Sequence, residues 1–418
     1  MPPRLPPPGS PALLRRLNAA AVLHAIRTDG PASRADLARR TGLSKPTVNG
    51  AAELLLEQGF LVEIADGTGE NGRPPRPGRR PRLLRFASSV GHVLGIDIGA
   101  DKVLVAVADL AGDVRTVERR RTTARGRKNP EALLALVADA AGRALEVAKV
   151  PHASLKAVGV GTPGVVDPIS GRITLAPQLT GWEGIQLAAR LEPVFRCPVL
   201  VDNEVRLSLL AEQWQGAAQG VEHAFLVQIG VGIGGGVLLG GEVHRGASGA
   251  AGEIGYLPLF DDEEPADGLG PFEHAAGGTA FARLAQRAVA EAKGATVLLE
   301  LAGGDAAAID AETVFAAAAR HDPVAVGVLE ELFDRLARGI AAAIVVLNPS
   351  IVIVGGGVSR AGASLLEPLE RRVRALVPVA PRVVLSTLGD EAVALGAVRS
   401  ALDEVEQTLF AFASLERV

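Results

Sequence analysis

Three glycine-rich turns are the segments of this 418-residue chain best suited by composition to approach a phosphate group. The first follows the apolar run 93–98, the second spans residues 229–236, and the third, residues 355–357, follows the apolar run 351–354. Backbone N–H groups in such turns can reach phosphate oxygens because glycine carries no side chain. One such turn is weak evidence, but three in the order hairpin, hairpin, strand-turn-helix predict a two-lobed nucleotide-binding fold.

A second group of polar residues lies at the start of a predicted helix over residues 44–58. A first helix over residues 10–28 and a second over 34–40 precede it, and the turn Thr41-Gly42-Leu43 separates the second helix from the third. This order is typical of a helix-turn-helix, whose last helix enters the major groove of DNA. The polar residues at its N-terminal end are Ser44, Lys45, Thr47 and Asn49. An ordinary three-helix bundle is the alternative.

The spacing of apolar residues indicates which faces these helices bury. In the first helix the predicted inward residues are Leu14, Leu17, Ala21 and Ala25, and Val22 and Ile26 widen this apolar face. Ser33 and Asp36 have the spacing of a capping box for the second helix, and Arg34 beside them is a further candidate for a DNA contact. Pro46 fits the first turn of the third helix, where a missing N–H does no harm.

A strand-like hairpin follows the third helix. Residues 60–64 alternate like a strand, residues 83–86 form a second one, and Arg73 and Arg76 lie among prolines between them. A hairpin with arginines at its tip is typical of a wing that enters a narrow minor groove. A flexible, positively charged linker is the alternative.

The charge is divided unevenly between the two parts of the chain. Residues 1–90 contain 14 Lys or Arg against seven Asp or Glu, whereas the whole chain has a net charge of −4. A basic segment in front of an acidic body is typical of a DNA-binding module joined to a globular regulator. A solvated charged tail is the alternative.

Composition excludes several classes of protein. The chain is 48% apolar and 22% charged, which argues against a disordered or fibrous protein. The apolar stretch 224–241 contains seven glycines and is poor material for a membrane span. No export signal is visible at the N-terminus, so we expect a cytoplasmic protein without a membrane partner.

The pattern changes near residue 88 and predicts an α/β body of alternating strands and helices. We expect a largely parallel sheet with ligands at the carboxyl ends of its strands. The predicted domains are 1–88 for the winged helix-turn-helix, 89–204 plus 391–418 for a first lobe, and 205–390 for a second lobe.

Several long motifs resemble those of the ROK family, which groups bacterial repressors with sugar kinases. They are Gly95-Ile-Asp-Ile-Gly-Ala, Gly159-Val-Gly-Thr-Pro-Gly-Val-Val-Asp167, Ala176-Pro-Gln-Leu-Thr-Gly-Trp182, Val201-Asp-Asn-Glu204, Gly252-Glu-Ile-Gly-Tyr256 and Leu347-Asn-Pro-Ser-Ile-Val-Ile-Val-Gly-Gly-Gly357. The resemblance covers residues 10–405 and implies a two-lobed actin- and hexokinase-like (ribonuclease H-like) ATPase fold. The winged helix in front resembles the repressor branch.

Four substitutions relative to the family's kinases argue against catalysis. Glu204 replaces the Asp that takes a proton from the sugar hydroxyl, and Arg206 replaces an Asn. Asp101 and Val231 replace Thr residues that would contact phosphate. Displacing a general base, as the longer Glu204 side chain does, costs about a hundredfold in rate. A carboxylate at position 101 repels phosphate groups, so we expect that the protein is not an efficient kinase.

The family's zinc site is also absent from the sequence. Tyr256 replaces its His, and the loop 261–272 has no Cys, the only one in the chain being Cys197. We therefore expect no metal or other cofactor, and only doubtful ATP binding.

The resemblance implies a sugar-type effector. Paired carboxylates and amides can satisfy several hydroxyl groups at once. The effector-binding residues implied are Gln178, Asn203, Glu204, Glu253 and Tyr256. A different effector, or none, stays open.

Together these observations predict a DNA-binding transcriptional regulator that binds a double-stranded operator and is controlled by a small carbohydrate. The resemblance to the repressor branch implies that it is a repressor of carbohydrate-metabolism genes. Its mechanism requires a homodimer or homotetramer. The alternatives are an ATP-dependent kinase of a hexose or N-acetylhexosamine with an accessory DNA-binding domain, and a scaffold that binds a partner protein.

Overall fold

The computed structural model describes residues 11–64, 82–123, 126, 128–260, 268–292 and 294–410. No helix within these residues is long and apolar enough to cross a membrane.

The N-terminal part is a winged helix-turn-helix. Its elements are α1 (Pro11–Asp29), β1 (Ala32–Ser33), α2 (Arg34–Thr41), α3 (Lys45–Glu57), β2 (Leu61–Ile64) and β3 (Leu83–Phe86). Strand β3 lies between β1 and β2 and is antiparallel to both. Ser33 and Asp36 form the predicted capping box of α2, and Ser44 caps α3. The β2–β3 hairpin confirms the predicted strands of the wing, whereas its connection, with Arg73 and Arg76, lies outside the described residues.

The predicted inward face of α1 is partly wrong. Leu14 and Ala21 are exposed, whereas Val22, Ala25 and Ile26 are buried as predicted, and Ala19 and Leu23 are buried beside them. In α3 the predicted inward residues Val48 and Leu55 are buried.

The body begins with a five-stranded sheet. Its elements in chain order are β4 (His92–Ile98), β5 (Lys102–Asp109), β6 (Val114–Arg121), α4 (Pro130–Ala148), β7 (Leu155–Thr162), β8 (Val165–Val166), β9 (Ile173–Leu175), α5 (Leu187–Phe195) and β10 (Val199–Asn203). The strand order is β10-β7-β4-β5-β6, and β8 pairs with β9 beside it.

A second five-stranded sheet repeats this plan. The elements that follow β10 are α6 (Glu204–Gln215), β11 (Ala224–Ile229), β12 (Ile233–Leu239), β13 (Glu242–Val243), α7 (Pro271–Ala276), α8 (Gly278–Glu291), α9 (Val297–Leu301), α10 (Ala311–Ala319), α11 (Pro323–Leu347), β14 (Ile351–Gly355), α12 (Ala363–Leu376), β15 (Arg382–Leu385) and α13 (Ala392–Phe410). The strand order is β13-β12-β11-β14-β15. The two sheets confirm the two-lobed α/β architecture.

Each sheet is mixed, and the prediction of a largely parallel sheet is wrong. In the first sheet β4, β7 and β10 are parallel, whereas β5 and β6 extend the sheet antiparallel from β4. In the second, β11, β14 and β15 are parallel and β12 and β13 are antiparallel. Each lobe therefore starts with a hairpin meander and continues with helical crossovers.

The second glycine run is mostly strand rather than turn. Gly234 and Gly236 belong to β12, which lies against α6. A Cβ on Gly234 would lie 2.8 Å from the side chain of Val205, and one on Gly236 would lie 3.1 Å from that of Leu209. These two glycines therefore permit close packing of a helix on a strand, and only residues 230–232 form the turn.

The C-terminal helix α13 packs on the first sheet, against β4 and β7, and also along α6. The predicted assignment of residues 391–418 to the first lobe and the boundary at residue 204 stay predictions, because α6 contacts α13 on one side and β12 of the second sheet on the other. Residues 411–418 lie outside the described part.

Candidate functional site

The N-terminal end of α3 is polar and exposed. Lys45 and Asn49 are exposed there. Ser44 accepts a hydrogen bond from the Thr47 N–H at 3.3 Å, and the two hydroxyl groups lie 2.8 Å apart. Ser44 and Thr47 thus shape the start of the helix, whereas the exposed side chains of Lys45 and Asn49 stay available for the predicted DNA contacts.

Arg34 is held inside the winged helix-turn-helix. Its guanidinium donates to Glu63 of β2 and to Glu53 of α3, both at 2.8 Å. Arg82 also donates to Glu63, at 2.5 Å, and these two arginines, Arg82 first, lower the pKa of the Glu63 carboxyl. Because both ends of the Arg34 guanidinium already have carboxylate partners, its geometry suits a contact between α2, α3 and the wing better than a contact with DNA.

Two of the predicted effector residues, Asn203 and Glu204, lie at the start of α6. Asn203 is buried and caps this helix: its Oδ1 accepts from the N–H groups of Val205 at 2.9 Å and Arg206 at 3.2 Å. Its Nδ2 donates to the Gly164 carbonyl at 2.9 Å. The amide of Asn203 therefore has protein partners on both sides, and it orients the helix that begins at Glu204.

Glu204 is largely buried beside another carboxyl group. Burial and, after it, the charge of Asp97 raise its pKa to about 8. Burial likewise raises the pKa of Asp97 to about 6, opposed by Lys102, whose Nζ lies 3.7 Å from Asp97 Oδ2. At neutral pH the Glu204 carboxyl is thus mainly protonated, and a neutral carboxyl can both donate to and accept from a hydroxyl group.

Further polar residues interact with Glu204 or with one another, or lie at the second glycine turn, namely Glu253, Glu273, Tyr256 and Gln178. Burial raises the pKa of Glu253 and of Glu273, and both carboxylates raise the pKa of Tyr256 after its own burial does. The Tyr256 hydroxyl donates to the Gly268 carbonyl at 3.1 Å. A Cβ on Gly232 would lie 1.8 Å from Glu273 Oε1 and 3.1 Å from Gln178 Nε2, so these two side chains meet at the second glycine turn.

The structure therefore brings Glu204, Glu253 and Tyr256 into one electrostatic neighbourhood, and it places Gln178 at the edge of that neighbourhood beside Glu273. Carboxyl, amide and phenol groups together both donate and accept hydrogen bonds. Such a set matches a ligand with several hydroxyl groups.

An ion-pair clasp that the sequence did not reveal fixes the loop before Glu253. Arg206 Nε donates to Asp202 Oδ1 at 2.6 Å, and Arg245 Nη2 lies 2.9 Å from Asp202 Oδ2. The buried Arg206 guanidinium also donates to the carbonyl of Gly249. Strand β10 of the first sheet is thereby joined to the loop after β13, which leads to Glu253.

The turns that would meet phosphate carry unfavourable residues. Val231 is 53% exposed at the second glycine turn and offers no hydroxyl group. Near the first turn, Asp390 binds Arg119 at 2.9 Å and Arg360 at 3.3 Å, and these cations, Arg119 first, lower its pKa. Phosphate groups would have to compete with Asp390 for both arginines.

Among the described residues no group of three or more His, Cys, Asp or Glu side chains could hold a metal ion. Most of the acidic loop, residues 261–267, lies outside that part of the chain. Burial raises the pKa of the half-buried Cys197 thiol to about 11, which makes it a poor ligand at neutral pH.

Asp97, Glu273, Lys102 and Asp202 were not recognised as site residues from the sequence. Asp97 and Asp202 are each the second-to-last residue of an apolar strand and belong to a motif of the ROK family. That position was the available signal. Glu273 had no comparable signal, because only the fold brings α7 against the second glycine turn.

Two family profiles match the chain. The ROK family matches residues 93–404, and the MarR family matches residues 15–70.

Known proteins are similar over the whole chain or over the body alone. A protein from Caldicellulosiruptor sp. (strain Rt8B.4) is 31% identical over 95% of this chain and 98% of its own length, and the xylose repressor of Caldicellulosiruptor bescii is 27% identical over the same shares. The glucokinase of Streptomyces coelicolor is 31% identical over 74% of this chain and 96% of its own length.

Solved structures divide in the same way. A ROK family transcriptional regulator, a homologue of the E. coli MLC protein, aligns with a TM-score of 0.74 at 24% identity, over 95% of this chain and 97% of that one. A ROK family glucokinase from Streptomyces griseus, solved with glucose and AMPPNP, aligns with a TM-score of 0.64 at 29% identity, over 75% of this chain and 100% of that one.

Proposed function

This chain belongs to the ROK family, and on that premise we propose that it is a transcriptional repressor of carbohydrate-metabolism genes whose DNA binding is controlled by a small sugar. The observation that carries the proposal is the combination, in one chain, of a capped α3 with Lys45 and Asn49 exposed and a cluster of carboxyl groups around Glu204, which we take as the effector cleft. Similarity to a xylose repressor over 95% of the chain supports the same combination.

The effector in this proposal is an uncharged polyol, and xylose is the first candidate because of that repressor. Glu204, Glu253, Tyr256 and Gln178 bind its hydroxyl groups, and Asn203 holds α6 in place. A phosphorylated sugar fits less well, because Glu253 and Glu273 would repel it. Sugar binding closes the two lobes and changes the placement of paired winged helices.

DNA binding in this proposal uses a homodimer or homotetramer. Paired α3 helices bind half-sites one helical turn or a multiple of it apart, and the arginines of the wing follow the minor groove. Because phosphate contacts release counterions, affinity falls steeply with salt, with a logarithmic slope of about −0.9 per phosphate neutralised.

The body in this proposal is not an enzyme. Glu204 stands where the family's kinases have their catalytic Asp, and because burial raises its pKa to about 8, only a minor fraction of this carboxyl is ionised at neutral pH and available as a base. The exposed Val231 offers no hydroxyl donor to the phosphate groups of ATP, and Asp390 is already paired with Arg119; both observations support this part of the proposal.

An ATP-dependent sugar kinase with an accessory DNA-binding domain is the second candidate, favoured by the 31% identity to a glucokinase. A coupled assay for ADP release over a panel of hexoses, pentoses and N-acetylhexosamines separates the two. Sugar-dependent ADP release that disappears in Glu204→Gln would replace our proposal with the kinase.

The direct test is selection of genomic DNA fragments by the purified full chain, followed by elution with each sugar of the panel. We expect one palindromic sequence to be enriched and one sugar to release it. Binding without sequence preference, unchanged by every sugar, would contradict the proposal.

A further inference from the structure

The helix that bears the effector residue Glu204 and the DNA-binding domain both contact α13. Helix α6 starts at Glu204 and ends at Gln215, and α13 packs along it. A Cβ on Gly396 of α13 would lie 1.8 Å from the Leu207 carbonyl oxygen of α6. Because the two backbones touch without side chains between them, a shift of α6 displaces α13 as well.

A chain of charged and aromatic contacts continues from α6 toward the N-terminal domain. Trp214, in the last turn of α6, lies under the Arg399 guanidinium of α13, 5.9 Å from ring to cation. Arg399 Nη2 is 3.2 Å from Glu406 Oε1. Ten residues of helix separate Glu204 from Trp214, about 15 Å at a helical rise of ~1.5 Å per residue.

Glu406 links this chain to the DNA-binding domain. The same Oε1 accepts from Arg27 Nη2 of α1 at 2.6 Å. The Arg27 guanidinium in turn lies 5.5 Å above the ring of Phe86 in β3, the second strand of the wing. One carboxylate oxygen therefore binds one arginine from the body and one from the DNA-binding domain.

The surroundings of Glu406 favour a defined geometry. Phe60, Phe86, Leu110, Leu402 and Val405 line a small apolar cavity at the junction together with Arg27 and Glu406. The exposed fractions of the side chains are 23% for Arg27, 19% for Arg399 and 32% for Glu406. Partly buried ion pairs are screened less by salt than exposed ones, so they hold the two parts in a preferred orientation.

We propose that Glu406 is a positioning residue, which transmits an effector-driven shift of α6, through Arg399 and Arg27, to the winged helix-turn-helix. Glu406 contacts neither DNA nor effector in this account. It sets how strongly occupancy of the cleft changes DNA affinity, and this role rests on the proposed function.

The test compares wild type with Glu406→Gln in the full chain. The control is Glu404→Gln, because Glu404 lies on the same helix and accepts from Thr408 of that helix at 3.0 Å. Fluorescence anisotropy gives the dissociation constant for the selected DNA with and without the eluting sugar, and the ratio of the two constants is the coupling. Calorimetry gives the affinity for the sugar without DNA.

We expect the ratio to fall at least about fivefold in Glu406→Gln, within the usual range of allosteric coupling, and to stay unchanged in Glu404→Gln. Affinity for the sugar alone should change less than about twofold. Arg27→Gln should act like Glu406→Gln, and the double variant should lose no more than either single one, since both remove the same pair.

A wild-type ratio above one that is unchanged in both Glu406→Gln and Arg27→Gln would overturn the positioning role and leave the proposed function intact. A wild-type ratio of one would overturn the proposed function itself. Additive losses in the double variant would also contradict the inference, because independent effects do not act through one ion pair.

Discussion

Arg206 Nε lies 2.6 Å from Asp202 Oδ1, and the pair joins the last strand of the first sheet to the first helix after it. The Arg206 side chain is 3% exposed, so its charge depends on Asp202 and on the carbonyl groups of Gly249 and Val166. Arg206, which replaces an Asn of the family's kinases, thus has a structural role next to Glu204, the predicted effector residue.

Loss of the Asp202 charge should destabilise the body strongly. Asp202→Asn leaves the buried Arg206 guanidinium without its carboxylate partner, and breaking a buried pair in this way costs about 3–5 kcal/mol. Urea denaturation followed by circular dichroism measures the change. Glu300→Gln is the matched control, because its pair with Arg320 is exposed and should contribute less than about 1 kcal/mol. Equal losses of stability in the two variants would show that the buried pair of Asp202 with Arg206 does not stabilise the body.

The stability of the protein should depend on Glu204 in a defined pH window. Its pKa is about 8 in the folded state against a usual value of 4.5, so the folded state binds the proton more tightly. The contribution of the Glu204 carboxyl to the free energy of unfolding is fully present below pH 4.5 and is lost as the pH rises toward 8.

The variant Glu204→Gln should not lose stability in this way as the pH rises, because the amide of Gln does not titrate. We expect the variant to match wild type near pH 4.5 and to be more stable by at least about 1 kcal/mol above pH 8. Denaturation at a series of pH values measures the difference. A constant difference across the series would mean that the Glu204 carboxyl is not shifted.

The face of α3 should determine sequence preference. Lys45→Ala and Asn49→Ala should each weaken binding to the selected DNA by about 1–3 kcal/mol if they contact bases. Arg34→Ala should weaken it less, because Arg34 is paired with Glu53 and Glu63. Anisotropy titrations with the selected and a scrambled DNA measure these effects. An Arg34→Ala effect larger than that of Lys45→Ala would place Arg34 on the DNA.

The phosphate-contact positions should block nucleotide binding. Wild type should show no thermal shift with Mg-ATP, whereas the double variant Asp101→Thr/Val231→Thr should show one, because it removes a like charge and supplies hydroxyl donors. A shift of equal size in wild type would mean that nucleotide binding survives in this cleft.

Local features of the sequence predicted local structure well. The capping box at Ser33, the Ser44 cap and the strands of the wing required only short-range patterns, and each is present. Gly234 and Gly236 were misassigned to a turn, because glycine in a strand and glycine in a turn look alike until the helix that packs on them is known.

Contacts between distant segments could not be predicted. Arg206 was visible only as a substitution, since its partners Val166 and Gly249 lie some forty residues away in either direction. The contact of Glu406 with Arg27 spans 379 residues and has no local signal. The carboxyl group of Glu273 reaches the cleft for the same reason, through the fold alone.

The most direct test of the central claim is the affinity of the full chain for its selected DNA, titrated with the eluting sugar in wild type and in Glu253→Gln. We predict that the sugar weakens DNA binding by wild type at least about tenfold, and that Glu253→Gln binds DNA equally well but needs far more sugar for release. DNA affinity that no sugar changes, or an identical sugar response in Glu253→Gln, would contradict the account of a repressor controlled through this cleft.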